Sequence, residues 1–150
     1  MEKVNLKIEL EIITHDGVQE HPFVNIGVNG YPYYGELCSE DTLVDFDIEV
    51  EDDKEYILTL EYRNKTPKTD VVLNENDDIV YDKCVNIKSV KIDDIEINLH
   101  TLLPEYTFKY TSTDPEGKDA TGFDATKLSW NGKTQLKITA PIYVWLLENL

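Results

Sequence analysis

Apolar and polar side chains alternate with a period of two along much of this chain, the spacing of a strand with one buried and one wet face. Val4, Leu6, Ile8, Leu10 and Ile12 alternate with Asn5, Lys7, Glu9 and Glu11, which predicts a first strand. His15-Asp16-Gly17 is a turn signal, and a second strand is predicted over 23–28. Asn29-Gly30 then supplies the dipeptide of a tight hairpin, with 31–37 as the returning strand. Pro32 has no amide hydrogen to donate, so that strand must begin at a sheet edge or in a turn.

The segment 45–51 carries the most information. Phe46, Ile48 and Val50 share one face, and Asp45, Asp47, Glu49 and Glu51 share the other. A strand buried on both faces could not hold those charges, so the sheet is antiparallel with a solvated side. A charged turn at 51–54 leads to Tyr56, Leu58, Leu60 and Tyr62, and the pair is predicted to form a hairpin. Residues 63–78 read as a polar loop broken by Val71-Val72-Leu73. Strands are predicted at 79–81 and 85–92, followed by an Asp93-Asp94 turn into Ile95, Ile97 and Leu99, and by a further strand at 106–110. Residues 111–126, rich in Thr, Asp and Gly, read as a mobile loop. Trp130-Asn131-Gly132 opens a last hairpin whose return strand holds Leu136 and Ile138.

The stretch 141–147 fits two patterns. As a helix, Pro141 suits the first turn and Tyr143, Leu146, Leu147 and Leu150 line one side. As a strand it is apolar on both faces, and a short strand or irregular segment packed on the sheets is the expectation. Eight to ten short strands with regular turn signals predict an all-β fold, a jelly-roll-like antiparallel β-sandwich. At 150 residues it forms a single domain, 1–150.

Charge narrows the partners. The net charge of −16 does not suit nucleic acid or an anionic membrane surface. Residues 1–100 hold 24 acidic and 9 basic side chains, whereas 101–150 hold 6 and 5, together with both tryptophans, Trp130 and Trp145. Either the C-terminal third faces a partner, or core strands cluster there. Cys38 and Cys84 are expected as buried thiols; joined, they would close a loop worth about 4 kcal/mol. Met1 leads directly into Glu2-Lys3-Val4 with no signal-peptide pattern, and no apolar run has membrane-spanning length, so synthesis in a cytoplasm is expected.

Candidate chemistry is sparse. The chain has no Gly-rich phosphate loop, no Gly-x-Ser-x-Gly and no His-Glu-x-x-His, and its three histidines are scattered, so no catalytic residue is assigned. Asp70, Asn74, Asn76, Asp77, Asp78 and Asp82 crowd one region with the oxygen ligands that calcium prefers, although not at EF-hand spacing. A solvated acidic turn is the alternative. Tyr31, Tyr33 and Tyr34 beside a hairpin, and Trp130 beside Asn131-Gly132, offer ring faces on which sugars stack. Equally, such rings serve as core and cross-strand partners.

Leu58-Thr59-Leu60-Glu61-Tyr62, Thr69-Asp70, Asp82-Lys83 and Val85-Asn86-Ile87-Lys88-Ser89-Val90-Lys91-Ile92-Asp93 resemble the central strands of calcium-dependent xylan-binding modules. That resemblance implies a β-sandwich, with Asp70 and Asp82 as calcium ligands. Trp130-Asn131-Gly132 followed by Pro141-Ile142-Tyr143-Val144-Trp145-Leu146-Leu147 is similar to small proteins of tailed bacteriophages of marine type, which implies a virion-associated role. The function expected is therefore a non-enzymatic virion accessory protein on a capsid, tail or fibre. Its acidic face would meet solvent, while Tyr143, Trp145, Leu147 and Leu150 dock on other virion proteins or a second copy. The alternative is a carbohydrate-binding module, calcium-assisted, that recognises host or environmental polysaccharide.

Overall fold

Period-two alternation turns one face of each strand inward, and two such faces bury each other. The computed structural model describes residues 2–14, 20–64, 72–76, 79–81, 83–100, 102, 108–113, 119–121, 125–128 and 131–149. Its strands are β1 (Glu2–Ile13), β2 (Phe23–Val28), β3 (Tyr31–Leu37), β4 (Thr42–Val50), β5 (Glu55–Tyr62), β6 (Val72–Leu73) and β7 (Ile79–Tyr81). They continue with β8 (Cys84–Ile92), β9 (Ile95–Glu96), β10 (Phe108–Thr113), β11 (Asp119–Thr121), β12 (Lys127–Leu128) and β13 (Gly132–Thr139), and one helix follows, α1 (Ile142–Asn149). The first sheet runs β12-β8-β1-β4, with β9 also paired to β8. The second runs β11-β10-β13-β5-β2-β3, and β6-β7 form a small separate ladder. Every pairing is antiparallel. The fold is the expected β-sandwich.

Ile8, Ile87 and Val90 of the first sheet face Leu58, Leu60 and Leu136 of the second across the core. Leu6, Leu10, Val24, Ile26, Tyr62, Val85, Ile92 and Ile138 are buried beside them. Each such side chain contributes about 1.5–3 kcal/mol by leaving water. Cys38 and Cys84 are both buried and are not joined in a disulfide. No helix among the described residues is long and apolar enough to cross a membrane.

Several local expectations give way to non-local pairing. β4 and β5 do not form a hairpin: β4 pairs with β1, and β5 pairs with β13 and β2 in the opposite sheet. The Asp52-Asp53 turn is an arch between layers, tied to the chain's end by Asp53 N–H to Ala140 O (3.2 Å) and Ala140 N–H to Lys54 O (3.0 Å). Likewise β12 and β13 lie in different sheets and do not pair as a hairpin. The strand expected at 106–110 is instead Phe108–Thr113, and β11 and β12 lie within or against the stretch read as a loop. Residues 141–147 enter a helix rather than a strand, because Ile142, Trp145 and Leu146 can then bury one side together. The turn expected at 15–17 and the strand start at 106 lie outside the described residues.

The acidic stripe of β4 does not stand alone. β1 sets Lys3, Asn5 and Lys7 directly opposite Glu49, Asp47 and Asp45. The Asn5 amide donates to both Asp45 (2.7 Å) and Asp47 (2.9 Å), and Lys3 Nζ lies 3.4 Å from Asp47. The Asn5 hydrogen bond, then Lys3, holds the Asp47 carboxyl below its ordinary range. Lys7 does the same for Asp94 across a 2.6 Å ion pair.

Candidate functional site

The β2–β3 hairpin turns on Asn29 (φ 49°) and Gly30 (φ 82°), the left-handed pair that a two-residue turn requires. Asn29 Oδ1 accepts from Ile57 N–H (2.8 Å) and Asn29 N–H donates to Ile57 O (3.0 Å), so the turn is pinned to β5. Beyond the turn the register slips: Gly27 pairs with Pro32, but Ile26 pairs with Tyr34. Tyr33 is thus the extra residue of a β-bulge, a device that re-aims side chains. The bulge needs a glycine opposite, since a Cβ on Gly27 would lie 2.7 Å from the Tyr31 carbonyl oxygen.

The consequence is an aromatic row along the sandwich edge. Tyr31 and Tyr33 meet edge to face with ring centroids 5.1 Å apart. Tyr33 stacks on Phe46 of β4 at 4.6 Å and 14°. Tyr31 is 66% exposed and Tyr33 37%, whereas Phe46 is half-buried against the core. Since β3 and β4 are the outermost strands of their sheets on this side, Phe46 forms the base, Tyr33 the middle and Tyr31 the outer ring of a platform joining the two layers. Alternation assigned Phe46 to the core; its role under Tyr33 was missed because stacking between sheets leaves no mark in local pattern.

Tyr34 departs from the expected group of three. It turns inward with its hydroxyl 3.3 Å from Cys38 Sγ. Burial, then the Cys38 contact, pushes its phenol well above the ordinary range. Trp130, the fourth candidate, lies outside the described residues, as do Asp70, Asp77, Asp78 and Asp82. Asn74 and Asn76 close on each other through an Asn76 N–H to Asn74 Oδ1 bond (2.8 Å). Among the described residues no group of three His, Cys, Asp or Glu converges on a metal position.

Of the residues expected to dock a partner, Trp145 is 6% exposed and belongs to the core, while Tyr143 and Leu147 (79% exposed) point outward with Val144. The outer face of α1 is therefore Tyr143, Val144 and Leu147. The Tyr143 hydroxyl donates to Asp93 Oδ2 (3.4 Å), and that carboxylate raises the phenol's pKa. Leu150 lies outside the described residues.

A second concave feature lies at the other edge of the first sheet. A cavity of about 320 Å3 is lined by Lys88, Glu96, Asn98, His100 and Thr126 above Ile87, Ile97 and Leu99. None of the five polar residues was singled out from sequence. The signal was available: in 95–100 buried Ile97 and Leu99 alternate with exposed Glu96, Asn98 and His100, and attention to the apolar half hid the polar one.

No protein-family model and no curated protein sequence matches this chain. Among solved structures it is similar to vCBM60 in its selenomethionine form, described among calcium-dependent carbohydrate-binding modules, at 10% identity over 89% of each chain with a TM-score of 0.50. At that identity the likeness establishes a shared β-sandwich fold.

Proposed function

We propose that this protein is a non-catalytic carbohydrate-binding module that receives sugar rings on Tyr31 and Tyr33. The observation that carries the reading is the Tyr31–Tyr33–Phe46 row, which presents two exposed rings fixed from beneath. Sugar C–H faces pack on aromatic faces, and a ring already held by a neighbour loses little freedom on binding. The sandwich shared with a carbohydrate-binding module supports the same reading at the level of fold. Calcium enters it only through Asp70, Asp77, Asp78 and Asp82, as an expectation from the acidic segment. The comparisons lend the virion reading no support, and the outward face of α1 names no partner.

Retention on immobilised neutral polysaccharides tests this. Removing one stacking ring should cost about 1–2 kcal/mol, roughly five- to thirtyfold in affinity. Tyr33→Ala and Tyr31→Ala are therefore each expected to weaken retention by that factor, with melting temperature little changed for the more exposed Tyr31. Equal retention of wild type and both variants, or none by wild type across a broad glycan panel, refutes the platform.

A further inference from the structure

The Lys88 cavity is the product of a second bulge. Along β8 the pairing with β1 runs Glu9↔Ser89 and then Leu10↔Ile87, so Lys88 has no partner residue across the ladder. Buried positions accordingly change phase, from Val85 and Ile87 to Val90 and Ile92. Among the described residues the edge of β8 away from β1 pairs in two places, with β12 at Asn86 and Val85 and with β9 at Lys91 and Ile92. The gap between them is closed at one end by Ile87 N–H to Thr126 O (2.7 Å) and at the other by Ile97 N–H to Val90 O (3.0 Å). The cavity occupies this gap, with Glu96, Asn98 and His100 along one wall.

From this we infer a second ligand site, one that takes a single neutral, polyhydroxylated ring such as the end residue of a glycan. The volume stands near the lower end of the roughly 300–1,000 Å3 of small-molecule sites, enough for one ring and too little for a chain laid lengthwise. The lining offers donors and acceptors together: an ammonium at Lys88, a carboxylate at Glu96, and an imidazole at His100. A carboxylate accepts two neighbouring hydroxyls at once, and the ligand must supply both donors and acceptors in return. Lys88 and Glu96 carry opposite charges, so an anionic or a cationic ligand would each meet a like charge here. Among the described residues Glu96 is engaged in no ion pair, and Lys88 has only a loose contact with Glu9 at 3.9 Å. The sheet order puts β1 between this site and β4, so it is separate from the aromatic platform. The choice of sugar as ligand rests on the glycan-binding reading; the site itself rests on the bulge and the gap.

Backbone amide chemical shifts of the full chain, titrated with D-glucose, D-galactose and D-xylose to tens of millimolar, test the inference. Saturable shifts at 88, 96–100 and 126 are expected for at least one sugar. They should weaken roughly tenfold in Glu96→Gln and in His100→Ala, the loss of about one hydrogen bond to a charged or polar group. They should be unchanged in Tyr31→Ala. Shifts confined to 31–34 and 46, or polysaccharide retention with no monosaccharide response at the cavity, overturn the second site and leave the platform standing. No response to any sugar and no retention on any polysaccharide overturns both.

Discussion

Gly27→Ala is the sharpest test of how the platform is built. The added Cβ would lie 2.7 Å from the Tyr31 carbonyl oxygen, 3.4 Å from its carbon and 3.7 Å from Pro32 Cα. All three are backbone atoms, so no rotamer change can relieve the contact. Ordinary carbon–oxygen contact lies several tenths of an ångström further out, and both strands are held: β2 by β5, β3 by its hairpin. Forced shifts of this kind cost about 1–3 kcal/mol, and here the upper end is expected. At roughly 2–4 °C per kcal/mol for a chain of this size, the melting temperature should fall by about 5–10 °C. Gly30→Ala is the control. Gly30 has positive φ but nothing within 4 Å of the added carbon, so only the left-handed conformation of about 1–2 kcal/mol is charged. Gly30→Asn should cost less still, because Asn tolerates that region. Thermal unfolding followed by circular dichroism, with glycan retention measured on the same samples, separates the cases. Gly27→Ala should lose both stability and retention, whereas Gly30→Asn should keep both. A Gly27→Ala variant as stable and as retentive as wild type would refute the close approach at the bulge, and with it the account of Tyr33.

Lys83 is 1% exposed and donates to the carbonyls of Glu20 (2.9 Å) and Asn64 (2.8 Å). Lys83→Met leaves those carbonyls without their donor and should cost about 2–3 kcal/mol, read as a melting temperature roughly 5–10 °C lower; an unchanged or higher value would mean that desolvation of the ammonium outweighs its bonds. Asp47 is depressed in the folded state, so its contribution is present above the unfolded carboxyl range and is lost as pH falls through the folded value. The small stability gap between wild type and Asp47→Ala should therefore hold at neutral pH and close below about pH 4, in parallel thermal melts; a gap that widens in acid contradicts this sign. Among the described residues β4 pairs on one edge alone, and antiparallel pairing of the other with a second copy centred on Asp47 would set Asp45 against Glu49 and Asp47 against itself. Replacing all three by their amides should raise self-association in sedimentation velocity, whereas a monomer indistinguishable from wild type would refute the guard role.

Alternation told which side chains of β1 and β4 point inward, and Asn29-Gly30 and Asp93-Asp94 told where two hairpins turn. It could not tell which sheet receives each strand. A hairpin and an arch between β4 and β5 leave the same residues buried, Val44, Ile48 and Val50 on one strand and Leu58, Leu60 and Tyr62 on the other. The two differ only in a rotation at Asp52-Asp53, which has no periodic signature. α1 was hidden because two helical turns that are apolar on the outer side at Tyr143, Val144 and Leu147 read equally well as a buried strand. The bulges were half legible. Val85, Ile87, Val90 and Ile92 skip from a spacing of two to three and back, which marks Lys88; nothing comparable in Tyr31-Pro32-Tyr33-Tyr34 separates the inward Tyr34 from the outward Tyr33.

The charge of −16 suggests a molecule with an acidic face, yet several charges of the first sheet are answered across its strands. Asn5 and Lys3 answer Asp45 and Asp47 of β4, Lys7 pairs with Asp94, and the Ser89 hydroxyl donates to Glu9 (3.3 Å). A face whose groups are engaged across strands offers little to a ligand, since binding there would first have to break those pairs. Both proposed sites lie where the ladder is interrupted. Tyr33 and Lys88 are each the extra residue of a bulge, one on the outer strand of the second sheet and one on β8 between its pairings with β12 and β9. At both places the backbone turns a side chain out of register, into space that no cross-strand partner fills. The acidic strand 45–51 is thus the structural floor beneath Tyr33 through Phe46, and the two proposed sites lie beside it.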